Sequence, residues 1–290
     1  MNHEYGVRAP AFRLPEATHV GPVTLAVADL DRSVGYYREV IGLHLLTREG
    51  HRATLGAPDE RPLVVLEEHA GLRPVPRRGA FGLYHFAILL PDRASLGRFV
   101  GHLGRFGVQV GMADHLVSEA LYLTDPDGLG IEVYADRPRT AWRARGQELA
   151  MTSEPLDVRS LLMAGGQLPW DGVPAGTVMG HIHLHVGDLA VADAFYHRAL
   201  GLDKIVWSYP GALFLSAGGY HHHLGTNTWS PGPSARPDEA RLLAWTLHVP
   251  TSADVAAVET SLVAAGHATT RDDGGRLVVA DPWGTIVRVG

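Results

Sequence analysis

Seventeen histidines and no cysteine define the chemistry open to this 290-residue chain. Without thiols there is no disulfide framework, no cysteine nucleophile and no cysteine-ligated zinc or iron–sulfur site. Imidazoles and carboxylates remain, and with them acid–base catalysis and divalent-metal binding. The stretch HIHLHV alternates strictly, so His181, His183 and His185 share one strand face and Ile182, Leu184 and Val186 the other. His85 stands seven residues before Asp92, and His181 seven before Asp188. Both aspartates open a helical pattern. Glu132 is the one carboxylate in the apolar run GIEVY. Buried and unpaired it would be costly, so a cation or a donor is expected beside it. His85, Glu132 and His181 thus make a two-His-one-carboxylate set, which suits non-haem Fe(II) or Mn(II) and leaves coordination positions open. Plainer readings compete: a polar face on a one-sided sheet for the histidines, and a solvated edge for Glu132. His19 is a rival ligand, three residues before the matching position at Pro22.

The positioning elements repeat. Four segments run from a short apolar strand to an Asp or Thr cap, an amphipathic helix, a glycine and further strands. Their caps are Asp29, Asp92, Asp188 and Thr251, and their stops Gly42, Gly107, Gly201 and Gly266. Cap-to-glycine distance is 13 residues in segments one and three and 15 in two and four, and the paired caps are 159 residues apart. Segments two and four both end on Asp-Pro-x-Gly, at 125–128 and 281–284, before a last strand. The chain therefore reads as a tandem duplication of a two-module unit, each module βαβββ. The expected division is an arm at 1–17, a first half at 18–137 (modules one and two), a connector at 138–179 with one helix near 158–163, and a second half at 180–290 (modules three and four). Two of the four modules place a histidine on the first strand; the others have Pro22 and Ala244 there. Val287 is the counterpart assigned to Glu132.

These modules, with VADLDRSVGYYREVIGL, VGDLAVADAFYHRALGL and the ending DPDGLGIEVYAD, resemble the vicinal oxygen chelate superfamily of glyoxalases, extradiol dioxygenases and bleomycin-resistance proteins. GLYHFAILLPDR, VSEALYLTDPDGLGIEVYADRP, GHIHLHV and AGGYHHHLGTNTW are similar to the bacterial catechol-2,3-dioxygenase branch. The resemblance spans about residues 18–290 and implies an α+β fold of curved mixed sheets forming a metal-binding cup. It implies extradiol cleavage of a catechol by dioxygen to a 2-hydroxymuconic semialdehyde at Fe(II), with Mn(II) as the other metal. Ligands would be His85, Glu132 and His181. In the family the third and fourth modules supply all ligands; here modules two and three do, so these two must pair around the site, and one and four form a site-free half. His221, His222 and His223 would lie in a last strand, where alternation turns either His222 alone or the His221/His223 pair into the cup, and the resemblance implies that His222 is the acid–base residue. Tyr122 would hydrogen-bond a substrate oxygen, and His115 would stand behind it.

Other classes are weighed against this. Glyoxalase-type isomerases carry a fourth, carboxylate ligand where this chain has Thr226, Asn227 and Thr228, which favours ring cleavage over isomerase or lyase chemistry. A ligand-sequestering resistance protein would need no complete triad. Trp207, Trp229 and Trp245 fit either an aromatic pocket or the core. A net charge of −6 argues against a nucleic-acid partner. The lack of an apolar leader or an 18-residue apolar run points to a cytoplasmic protein without a membrane partner. Open sheet edges would suit a homo-oligomer.

Overall fold

The computed structural model describes residues 5–76 and 79–290. The helices begin where the caps predict. Asp29, Asp92, Asp188 and Thr251 sit in extended backbone, and each side chain accepts the backbone N–H three residues on. This satisfies a donor that the first helical turn leaves free. Gly42 closes the first helical segment in the left-handed region at φ 87°. The second helix stops before the expected Gly107: it spans Arg93–Leu103 with Gly104 as C-cap. Turns carry the chain on to Gly107, whose φ of 60° ends them. In modules one and three the helix widens into a π segment, at Tyr37–Ile41 and Asp193–Ala199, whereas modules two and four have regular helices, Arg93–Leu103 and Ser252–Ala264. The alternation carries the duplication into the structure.

Each module is βαβββ, and the modules assemble into two eight-stranded mixed sheets. One sheet orders its strands Thr269–Arg271, Leu277–Ala280, Ile286–Val289, Arg241–His248, His19–Val27, Pro62–Glu68, Arg52–Gly56, His44–Glu49. It holds modules four and one. The other runs Asp203–Val206, Ala212–Ser216, Leu224–Asn227, Val178–His185, Gly82–Leu89, Gly130–Asp136, Ser118–Thr124, Gly111–Asp114, which are modules three and two. Modules two and three thus pair, as the candidate ligand positions led us to expect. The first strands meet antiparallel at each centre. One apolar core runs through both halves, taking Phe86, Ile131, Ile182 and Leu184 from one sheet and Val23, Leu25, Leu66 and Trp245 from the other. The apolar set of HIHLHV therefore packs inward, and the histidine set faces the other way.

The segment before module one crosses onto module three. Val7 bridges to Lys204, the Tyr5 hydroxyl donates to the Gly219 carbonyl, and Arg13 pairs with buried Asp203. In the connector, the helix forms at Val158–Gly165. A backbone pair between Asp114 and Glu154 holds the connector against module two.

Candidate metal centre

Register places the three candidate ligands. Glu132 pairs with Ala87 on one side, and His181 with Ala87 on the other. His85, two residues from Ala87, shares its face. The row is therefore Glu132, alanine, His181, and the small central residue leaves room between the two longer side chains. Two glycines seat the neighbours. A Cβ on Gly180 would lie 1.8 Å from the Tyr134 hydroxyl, so glycine alone lets that ring cross the strand just before His181. A Cβ on Gly225 would lie 2.8–2.9 Å from the His183 ring.

His85 Nε2 lies 3.0 Å from Glu132 Oε2, and His181 Nε2 lies 3.1 Å from the same oxygen. All three side chains are buried, and one ligand atom from each falls within 4.8 Å of the others. Donors arranged facially around an ion at about 2.0–2.2 Å stand about 3 Å apart. Despite its closeness to Glu132, His85 Nε2 makes no hydrogen bond, and neither does His181 Nδ1. Burial alone would raise the Glu132 carboxyl, but the imidazoles, His181 foremost, hold it well below the usual range. Burial pushes both imidazoles down, so they are neutral near pH 7. One carboxylate, two neutral imidazoles and an orphaned buried nitrogen make a donor set that fits a divalent cation.

A cavity of about 160 Å³ opens over this cluster, lined among others by Tyr84, Tyr122, His183, Phe214, His222 and Trp229. His115 Nδ1 lies 2.6 Å from the Thr152 carbonyl and Nε2 2.6 Å from the Tyr122 hydroxyl. The carbonyl can only accept, so Nδ1 carries a proton, and Nε2 faces the Tyr122 hydroxyl. Burial, then the Glu132 charge, keeps Tyr122 a phenol.

The three consecutive histidines depart from expectation. The last strand of module three is Leu224–Asn227, so His221, His222 and His223 lie in the irregular approach to it. Strand alternation therefore does not apply, and all three are buried. His222 lines the cavity, its ring 4.0 Å from that of His181. His221 contacts Asp136 Oδ1 through Nε2 at 2.9 Å and His222 Nδ1 through its own Nδ1 at 2.7 Å. The carboxylate oxygen accepts, so His221 Nε2 donates to it, and His221 Nδ1 takes the His222 Nδ1–H. That leaves the His222 Nε2 lone pair free. Burial and the neighbouring imidazoles push His222 well below its ordinary value. His223 is spent locally, its Nδ1 accepting from the Ala217 amide.

His19 is not part of the cluster: it is exposed, against His248 with ring centroids 5.2 Å apart. Of the tryptophans, Trp229 lines the cavity, Trp245 is core in the other sheet and Trp207 is partly exposed. Sequence reading missed His183, Asn227, Tyr84, Phe214 and connector residues 151–153 as parts of the cavity and its support. Only His183 had left a signal, its place in HIHLHV. The counterpart of Glu132 also needs correcting. Ala87 pairs with Glu132 as Thr246 pairs with Arg288, so the matching residue is Arg288, one position beyond Val287.

The model of the glyoxalase/bleomycin resistance protein/dioxygenase superfamily matches residues 19–133 and 178–289. The chain belongs to that superfamily. A protein of Bacillus subtilis (strain 168) named catechol-2,3-dioxygenase is 49% identical over 225 residues, covering 77% of this chain and 78% of that one. This member of the superfamily is accordingly a catechol-2,3-dioxygenase-like enzyme. Solved structures share the fold. A Bacillus subtilis protein described as a candidate dioxygenase matches with TM-score 0.66 at 15% identity, covering 96% of this chain and 86% of that one. Glyoxalase I from Zea mays matches with TM-score 0.57 at 17% identity, covering 94% and 92%. Among the described residues no helix is long and apolar enough to cross a membrane.

Proposed function

We propose that this enzyme is an extradiol dioxygenase that takes a catechol and dioxygen to a 2-hydroxymuconic semialdehyde at an Fe(II) ion held by His85, Glu132 and His181. The observation that carries the reading is the convergence of these three buried side chains on one point, with His85 and Glu132 lining an aromatic-walled cavity. The 49% identical catechol-2,3-dioxygenase supports the substrate class. Cavity size agrees: about 150 Å³ suffices for one benzene ring in another protein, and this cavity holds about 160 Å³. The donor types favour Fe(II) or Mn(II).

Ferrous iron bound here would act as a Lewis acid on both diol oxygens and would relay electron density from the diol to dioxygen. The protein's own contribution is acid–base and steric. His222 takes a phenolic proton at Nε2, its tautomer set by His221 and Asp136, and returns it later. Tyr122, its hydroxyl held 2.6 Å from His115 Nε2, stands in the cavity wall beside Glu132 to contact a substrate oxygen. Tyr84, Phe214 and Trp229 exclude water from the ring. A cytoplasmic location belongs to the same proposal.

The test is oxygen uptake by anaerobically Fe(II)-reconstituted protein given catechol. Uptake with a yellow product is expected. No uptake across simple catechols by iron-loaded protein would overturn the reading in favour of an isomerase or a binder.

A further inference from the structure

Between ligand His181 and rim residue His185 lies His183, which no step above uses. It is 4% exposed and lines the cavity. Its strand partner on one side is His85, with ring centroids 5.0 Å apart at 79°. On the other side is Gly225, across which the ring lies at a distance that no side chain at that position would permit. Tyr84, Phe214 and Trp229 surround the ring, with centroids at 5.2, 5.6 and 5.6 Å.

Asn227 fixes what remains. Its Oδ1 accepts from the Trp229 backbone N–H at 3.1 Å and faces His185 Nδ1 at 2.7 Å. A backbone N–H can only donate, so the amide cannot be flipped, and Nδ2 must face His183 Nε2, 3.0 Å away. His183 Nε2 is therefore an acceptor, and the ring proton lies on Nδ1. An aliphatic pair would fill this space with no buried polar groups to satisfy. The equivalent positions of the other sheet hold Thr24 and Glu67, with no comparable bridge between them.

We propose that Asn227 is a positioning residue that acts through His183, holding its imidazole in one tautomer and one orientation as the wall against which the substrate ring packs. The arrangement sets how tightly the diol is held, not how fast it reacts. The identity of the substrate rests on the dioxygenase reading; the lock itself does not.

Two independent measurements test this. In ferrous enzyme, Asn227→Leu should raise the KM for catechol about tenfold, the loss of one buried hydrogen bond, with kcat within about twofold and bound iron unchanged. Gly225→Ala, which pushes the ring off its seat, should give the same signature. His185→Ala should give a smaller rise of about two- to threefold, because Asn227 keeps its bond to His183. These two variants serve if Asn227→Leu does not fold. In zinc-loaded protein, the ¹⁵N shifts of His183 should report only the Nδ1–H tautomer, and a mixture in Asn227→Leu. A fall in kcat at constant KM would make His183 part of the chemistry and overturn the proposal, as would an unchanged tautomer in Asn227→Leu. If the wild type turns over no catechol, the dioxygenase reading fails. The tautomer experiment, with calorimetric binding of catechol to the zinc-loaded protein, then still decides on the lock.

Discussion

The two eight-stranded sheets descend from one pattern and have diverged at a handful of positions. Where the sheet of modules two and three has His181, His85, Glu132 and Tyr122, register gives Pro22, Ala244, Arg288 and Val278 in the sheet of modules one and four. The Arg288 guanidinium donates to Thr24 Oγ1 at 3.1 Å and lies 3.8 Å from Asp272. One sheet thus carries a buried anion flanked by neutral imidazoles, which calls for a cation from outside. In the other, a protein cation stands at the position of that anion. A chelating site is made or lost by a few residues on one face, while the core faces of both sheets remain apolar.

The comparison can be broken at its strongest point first. Glu132→Ala should abolish turnover by at least about a thousandfold and release the metal, since it removes the only anionic ligand. Oxygen-uptake rates beside iron analysis check this. Next in size, His222→Ala should lower kcat about a hundredfold with iron retained, the usual contribution of a general base. Equal iron content at full rate would remove His222 from the chemistry.

Acid should distinguish the two sheets. Burial depresses His183, His185, His197 and His222, and holds His223 at about 3, all in or against the site-bearing sheet. The other sheet has His248 alone in this class among the described residues. A histidine kept neutral in the fold binds its proton in the unfolded chain near pH 6.5. Stability is therefore complete above that pH and is lost as pH falls toward 3, by about 1.4 kcal/mol per unit for each such group. Asp125, raised to about 7 by burial, acts in the opposite direction and offsets about one histidine. Hydrogen exchange on metal-free protein between pH 7 and 4 should show the site-bearing sheet losing protection first. The smallest effect expected is that of Arg288→Ala. It should cost about 1–2 kcal/mol in denaturant unfolding, the worth of a charged hydrogen bond, and leave turnover unchanged.

Much of this was legible because offsets from the helix caps survive duplication. The seven-residue spacing to Asp92 and Asp188 singled out His85 and His181, and the apolar surroundings singled out Glu132; the structure brings the three together in one cluster. Module pairing followed from where those candidate ligands lie. The rest depends on contacts that sequence spacing does not encode. His221, His222 and His223 do not alternate because the chain has not yet entered the strand there. The Thr152 carbonyl that faces His115 Nδ1 comes from a connector without a period. The Glu132 counterpart was legible too but was placed one residue short: Glu132 stands four residues past Gly128 of its turn, and Arg288 four past Gly284. Asn227 shows nothing in sequence, since its role exists only once two histidines from a neighbouring strand flank it.

The most direct test of a one-site molecule is anaerobic titration with Fe(II). Wild type and Arg288→Ala should each bind one iron per chain, and His85→Ala, Glu132→Ala and His181→Ala none at the same free concentration. Two irons per chain, or one retained without Glu132, would contradict the assignment of the site to a single sheet.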